Sequence, residues 1–208
     1  MGTRRQMRDA RRLRSRRIRA ILAGGLVLGV GSAATLAAWN DSEYGSATFT
    51  AGRFDIVGAL DGVTFAQHAS SPGGTLAFSA PIGAMMPGNT TYALFSVKTA
   101  SGSGAGSLRV TAGTPTGSLA AALSYGVRTV TGTMCNATTY TSAGTAAQVV
   151  PDGSALSVSA LPATVQAVAA NGASTVNYCF AVTLSTSADN TLQNASASQT
   201  WQIVGTST

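Results

Sequence analysis

The segment TVNYCFAVTL, residues 175–184, limits the fold more than any other stretch of the chain. Tyr178, Phe180, Val182 and Leu184 fall at every second position, and a strand gathers such a set on one face. The same period recurs. TTYALFSVKTAS sets Ala93, Phe95 and Val97 against Tyr92, Leu94, Ser96 and Lys98, and TLAFSAPI, SLRVTAG, ALSYGVRTVTG, ALSVSAL and SQTWQIVG are further short candidates separated by Gly, Pro and Asn. Several strands at this spacing argue for an antiparallel sandwich. With 24 Gly, 6 Pro and only 10% charged residues, the chain is too rich in turn formers for a helical bundle and too apolar for disorder. One exception is PATVQAVAANG, where Val165, Val168 and Ala169 share a helical side and Asn171-Gly172 would end a short helix. SGSGAGS, residues 101–107, has linker composition but the length of a hairpin or surface loop, so residues 38–208 are expected to form one β domain.

Charge divides the chain differently. Nine of its 13 basic residues precede residue 20, against the single acid Asp9; the remainder carries six acids and four bases and is mildly acidic. The net charge of +6 is therefore a property of the leader, not of a nucleic-acid-binding body, and the arginines run straight into the apolar AILAGGLVLGVGSAATLAAW. Arginines, then an apolar stretch, then small residues form a secretory signal, the positive end being held on the cytoplasmic side. Thr35-Leu36-Ala37 suits a peptidase, which places cleavage after Ala37 or Ala38 and makes residues 1–37 a signal peptide. The alternative is an uncut transmembrane anchor, since no charge intervenes between Arg19 and Asp41. Ser15-Arg16-Arg17 resembles a twin-arginine signal, but Arg19 stands where that signal needs an apolar residue, so the Sec route is expected.

Export changes how the two cysteines read. Cys135 and Cys179 lie beyond the signal and would meet an oxidising compartment, where an internal disulfide is the simplest outcome. Two free thiols or an intermolecular bridge are the rivals. Closing a loop of about 44 residues would stabilise the fold by about 3–4 kcal/mol in the chain-entropy account.

Ala37-Ala38-Trp39-Asn40-Asp41, followed by Ala47-Thr48-Phe49, Gly52 and Asp55-Ile56, resembles the junction of TasA/camelysin-family proteins, exported substrates of a SipW-type signal peptidase. MMPGNTTYALFSVKTASG and the closing YCFAVTLSTSADNTLQNASASQTWQI are also similar to that family. The resemblance implies an extracellular jelly-roll-like domain that builds surface or biofilm-matrix fibres, its freed N-terminal segment completing the sheet of a neighbour. The residues themselves allow this. SATFTAGRFDIVG alternates hydroxyl and apolar side chains, and a strand beside the cut can pair at home or with another chain's open edge. Trp39, Phe49, Phe54 and Ile56 are the side chains expected to carry the joint; if the segment stays uncut, Trp39 becomes an interfacial anchor.

Because camelysin is described as a protease, catalytic chemistry was sought. The chain has one histidine, His68, in the loop-like AQHASSPGG, without HExxH or GxSxG, so a solvated loop histidine is expected rather than a zinc ligand or a triad base. The carboxylates are scattered, and Asp189-Asn190 reads as a capped turn or a weak ion loop. No cofactor, metal or nucleic-acid partner is expected. The expectation is a non-enzymatic structural protein of the cell surface or matrix that partners with itself or related matrix subunits, and with the membrane before cleavage. Its rivals are a membrane-tethered monomeric surface domain that binds a ligand, and a secreted hydrolase.

Overall fold

The computed structural model describes residues 4–34, 41–79 and 85–208 and divides into two compact units, residues 1–49 and 50–208. In the first unit, helix α1 spans Arg4–Ala34, and residues 41–49 carry no regular secondary structure. Among the described residues no helix is long and apolar enough to cross a membrane. The described part of the leader, Arg4–Ala34, therefore supplies no transmembrane span. Ala37, Ala38 and Trp39, and with them the expected cleavage site, lie outside the described residues.

The second unit is built of two antiparallel sheets. Strands β1 (Ile56–Ala59), β2 (Thr90–Thr99), β4 (Leu123–Thr129), β5 (Gln148–Ala155) and β7 (Thr175–Leu184) form a five-stranded sheet in the order β1-β2-β7-β4-β5. Strands β3 (Gly106–Ala112), β6 (Gln166–Val168) and β8 (Trp201–Ser207) form the second, in the order β6-β3-β8. Inward residues of both sheets meet in one core: Val97 from β2, Leu108 and Val110 from β3, Tyr125 and Val127 from β4, Phe180 from β7 and Ile203 from β8. The alternating set of β7 does lie on this inner face, and Cys179 and Ala181 between its members are buried on the outer one. A central strand covered on both sides becomes apolar throughout, as β7 is.

The outer cover is a short helix, α2 (Ala137–Ser142), held by the Cys135–Cys179 disulfide with a Cα–Cα distance of 5.3 Å. The pairing is therefore internal. Helix α2 starts in a capping box: the Asn136 side chain accepts from the Thr139 amide at 2.9 Å, and the Thr139 hydroxyl accepts from the Asn136 amide at 3.0 Å.

Several expected elements fall differently. PATVQAVAANG is not an α-helix: Gln166–Val168 pairs with β3 and buries Val168, and a single 3-10 turn, Ala170–Gly172, follows with Asn171 (φ 56°) and Gly172 (φ 68°) at positive φ. A helix that short is marginal, whereas the open edge of β3 offers ladder bonds. In ALSVSAL only Ala155 is strand; beyond it the chain runs beside β3, the Ala160 amide donating to the Val110 carbonyl at 3.0 Å. SGSGAGS carries the chain from β2 to β3 in the other sheet, and so is no hairpin. Strand β5 itself was not anticipated, because Pro151 and Gly153 read as a turn; it lies at the sheet edge, where a residue without an N–H is tolerated, and its register with β4 shifts around Val127. In SATFTAGRFDIVG only Ile56–Ala59 enters a ladder, with β2.

Candidate assembly site

From Asp41 to Gly52 the chain makes no regular structure and is exposed; Tyr44 and Phe49 are 95% and 92% accessible. Pairing begins at Arg53. Its carbonyl accepts from the Gly104 amide at 3.0 Å, the Asp55 amide donates to the buried Ser103 hydroxyl at 3.0 Å, and the Ala100 amide donates to the Asp55 carbonyl at 2.9 Å. Between them the Phe54 ring lies against Gly106 and Gly205, where an added Cβ would meet it at 2.5 and 2.8 Å. Glycine is required at both positions because an aromatic ring lies where a side chain would start. Ile56 continues the contact toward Gly205 and pairs with Thr99. Of the four side chains expected to carry a joint, Phe54 and Ile56 are thus seated on their own domain, Phe49 stands in solvent, and Trp39 lies outside the described residues. The exposed Arg53–Asp55 ion pair at 3.6 Å adds little.

Beside this anchor runs a groove of about 1030 Å³ along the flank where the two sheets part. Asp55–Gly58 of the five-stranded sheet line one side, Ala197–Ile203 leading into β8 line the other, and Phe95, Val97, Leu123 and Val182 line its apolar interior. No described strand pairs with the outer edge of β8. Two buried polar atoms of the lining, His68 Nδ1 and Gln199 Oε1, meet no hydrogen-bond partner among the described residues. Trp201 packs against Phe180 and Tyr125, with ring centroids 5.2 and 5.5 Å away. Burial pushes the Tyr125 phenol up to about 12, the Trp201 indole opposing the rise.

His68 corrects the sequence expectation. It is half-buried, edge-on to Phe95 at 6.4 Å, and lines the groove instead of standing in solvent. Nothing in the loop composition of AQHASSPGG signalled this, because the packing partner is on β2.

The other polar cluster lies under α2. The Arg128 guanidinium is 2.6 Å from Asp152, donates to the Tyr140 carbonyl at 3.2 Å and sits 4.6 Å over the Tyr140 ring, while the Tyr140 hydroxyl donates to Asp152. Burial, then the Asp152 hydrogen bond, raises the Tyr140 phenol. Gly126 leaves no room beside this pair. The arrangement is a clasp between β4, β5 and α2, in which the buried Arg128 Nε meets no hydrogen-bond partner among the described residues. Among the described residues no group of three His, Cys, Asp or Glu side chains could hold a metal ion. Asp189 accepts from the Thr191 amide at 2.9 Å, capping its turn, and that bond together with the Thr191 hydroxyl lowers its carboxyl.

Compared with known proteins, the chain matches no family model and no curated protein.

Proposed function

We propose that this is an exported, non-enzymatic structural protein of the cell surface or biofilm matrix, whose jelly-roll-like domain joins its neighbours by strand addition. A Sec signal, residues 1–37, delivers it, a SipW-type peptidase cuts near Ala37 or Ala38, and the freed segment 41–52 of one chain adds to the open edge of β8 in the next. The reading is carried chiefly by Phe49: a large aromatic 92% accessible, on a segment without regular secondary structure that precedes the anchored Arg53. An open β8 edge with an apolar groove beside it supports the receiving half. N-terminal sequencing of the exported chain, followed by sedimentation, tests it. The expected result is an N-terminus at or next to Ala38 and polymers that vanish when residues 41–52 are deleted; a cleaved chain that stays monomeric defeats it.

The seating of Phe54 and Ile56 at home favours a second reading, a monomeric surface domain tethered by its uncut leader. An intact N-terminus on membrane-bound chain would select it.

A further inference from the structure

One segment lining the groove is held unlike the rest. From Thr75 to Ser79 burial alternates: Leu76 and Phe78 are half-buried and join the lining and core, while Thr75, Ala77 and Ser79 are exposed. That is the side-chain pattern of a strand. The backbone does not follow it. The Ser79 amide donates to the Tyr92 carbonyl at 2.9 Å, and the Tyr92 amide to the Ser79 hydroxyl at 3.1 Å. Among the described residues, the N–H and C=O groups of Thr75–Phe78 meet no hydrogen-bond partner. Phe78 reaches Trp201 at the start of β8, centroids 6.3 Å apart, yet the segment forms no ladder with β8, whose outer edge also lacks one. At the other end Gly74 rests on the His68 ring, which a Cβ there would meet at 2.8 Å. A strand-like segment is thus seated by two apolar side chains beside an edge that could bond it and does not.

We propose that Gly74–Ser79 is an internal strap that walls the flank groove of the free chain, with Phe78 lying on Trp201 at the start of β8, and that it must swing away before another chain's strand can add to β8. This rests on the strand-addition reading and adds its regulation. An incoming strand gains ladder bonds to β8 that the strap does not make, together with apolar contacts of the same kind; the strap therefore slows assembly without forbidding it. Segments with few hydrogen bonds open at free energies well below global unfolding, and a binding-competent fraction f weakens apparent affinity by that factor.

Two measurements on the exported full-length product test the strap. In native-state hydrogen exchange of the unaltered chain, the amides of Thr75–Phe78 should exchange well ahead of those of β2 and β7; equal protection overturns the proposal whatever the chain does in assembly. In light-scattering assembly, Phe78→Ala should shorten the lag by about tenfold by raising the open fraction, and Phe78→Leu, which retains more of the apolar contact, should fall between. Early exchange with an unchanged or longer lag in both variants overturns the strap as a brake. Early exchange with no polymer from any chain overturns strand addition itself, and the braking role with it.

Discussion

Gly126 shows how little slack single positions have in this domain. A Cβ there would collide with the Asp152 carboxylate and the Tyr140 hydroxyl, and would come within 3.0 Å of the Asp152 Cα, so backbone as well as side chains must shift. Gly126→Ala should therefore cost about 1–3 kcal/mol, the usual range for overpacking, measured as a lowered urea midpoint. Tyrosines make a second, pH-dependent statement at this scale. Burial raises the Tyr125 phenol from 10.0 to about 12 and raises Tyr178 as well. A raised pKa means that the folded state holds the proton more tightly than the unfolded chain. The associated stability is complete below pH 10 and is lost as pH rises through about 12. Urea midpoints should be flat from pH 7 to 9 and fall above 10, and Tyr125→Phe should make that fall shallower. Gln199 is a residue that no reading of local sequence would single out, and His68, conspicuous as the one histidine, acquires its place in the groove only from partners brought by distant strands.

At the scale of elements, α2 is the part most dependent on others. Six residues do not hold a helix alone; the Asn136–Thr139 capping box and the disulfide to β7 hold this one. Replacing both cysteines by alanine should lower stability by about 3–4 kcal/mol, and Asn136→Ala by about 1 kcal/mol, each read from urea unfolding. Because cap and disulfide support the same short helix, the double change should not be additive. The strands β2, β3, β4, β7 and β8 were legible in the sequence because each keeps an apolar alternation over most of its length. Strand β5 was not: Pro151 and Gly153 interrupt the pattern, and only the edge position makes them acceptable. Helix α2 was obscured because its cap is Asn with Thr three residues on, in a stretch that reads equally as turn. TLAFSAPI, expected as a strand, forms none over Thr75–Ser79: its side chains alternate in burial there, but no ladder follows.

For the whole molecule, the separation between anchored and free parts of the N-terminal region decides what a truncation does. Residues 53–59 are hydrogen-bonded into the β domain, whereas residues 41–52 carry no regular secondary structure and are exposed. Deleting 41–52 should leave the melting temperature unchanged within about 1 °C while abolishing assembly, and deleting on through Ile56 should also destabilise, since Phe54 leaves its place over Gly106 and Gly205. Scanning calorimetry beside sedimentation separates the two effects. The groove could not be anticipated from sequence, since its sides come from residues 55–58, 95–97 and 197–203, and only the sheet order brings them together. The remaining sheet edges matter as much as the open one. Strand β5 is interrupted by Pro151, β6 has three residues, and β1 is bridged to Ala66, which leaves β8 as the sole long uncapped border among the described strands. If the proposed strand addition holds, a subunit with a single receiving border and a single giving arm has a valence of two, and its product is an unbranched thread with a direction, its length set by how many giving arms are left unspent.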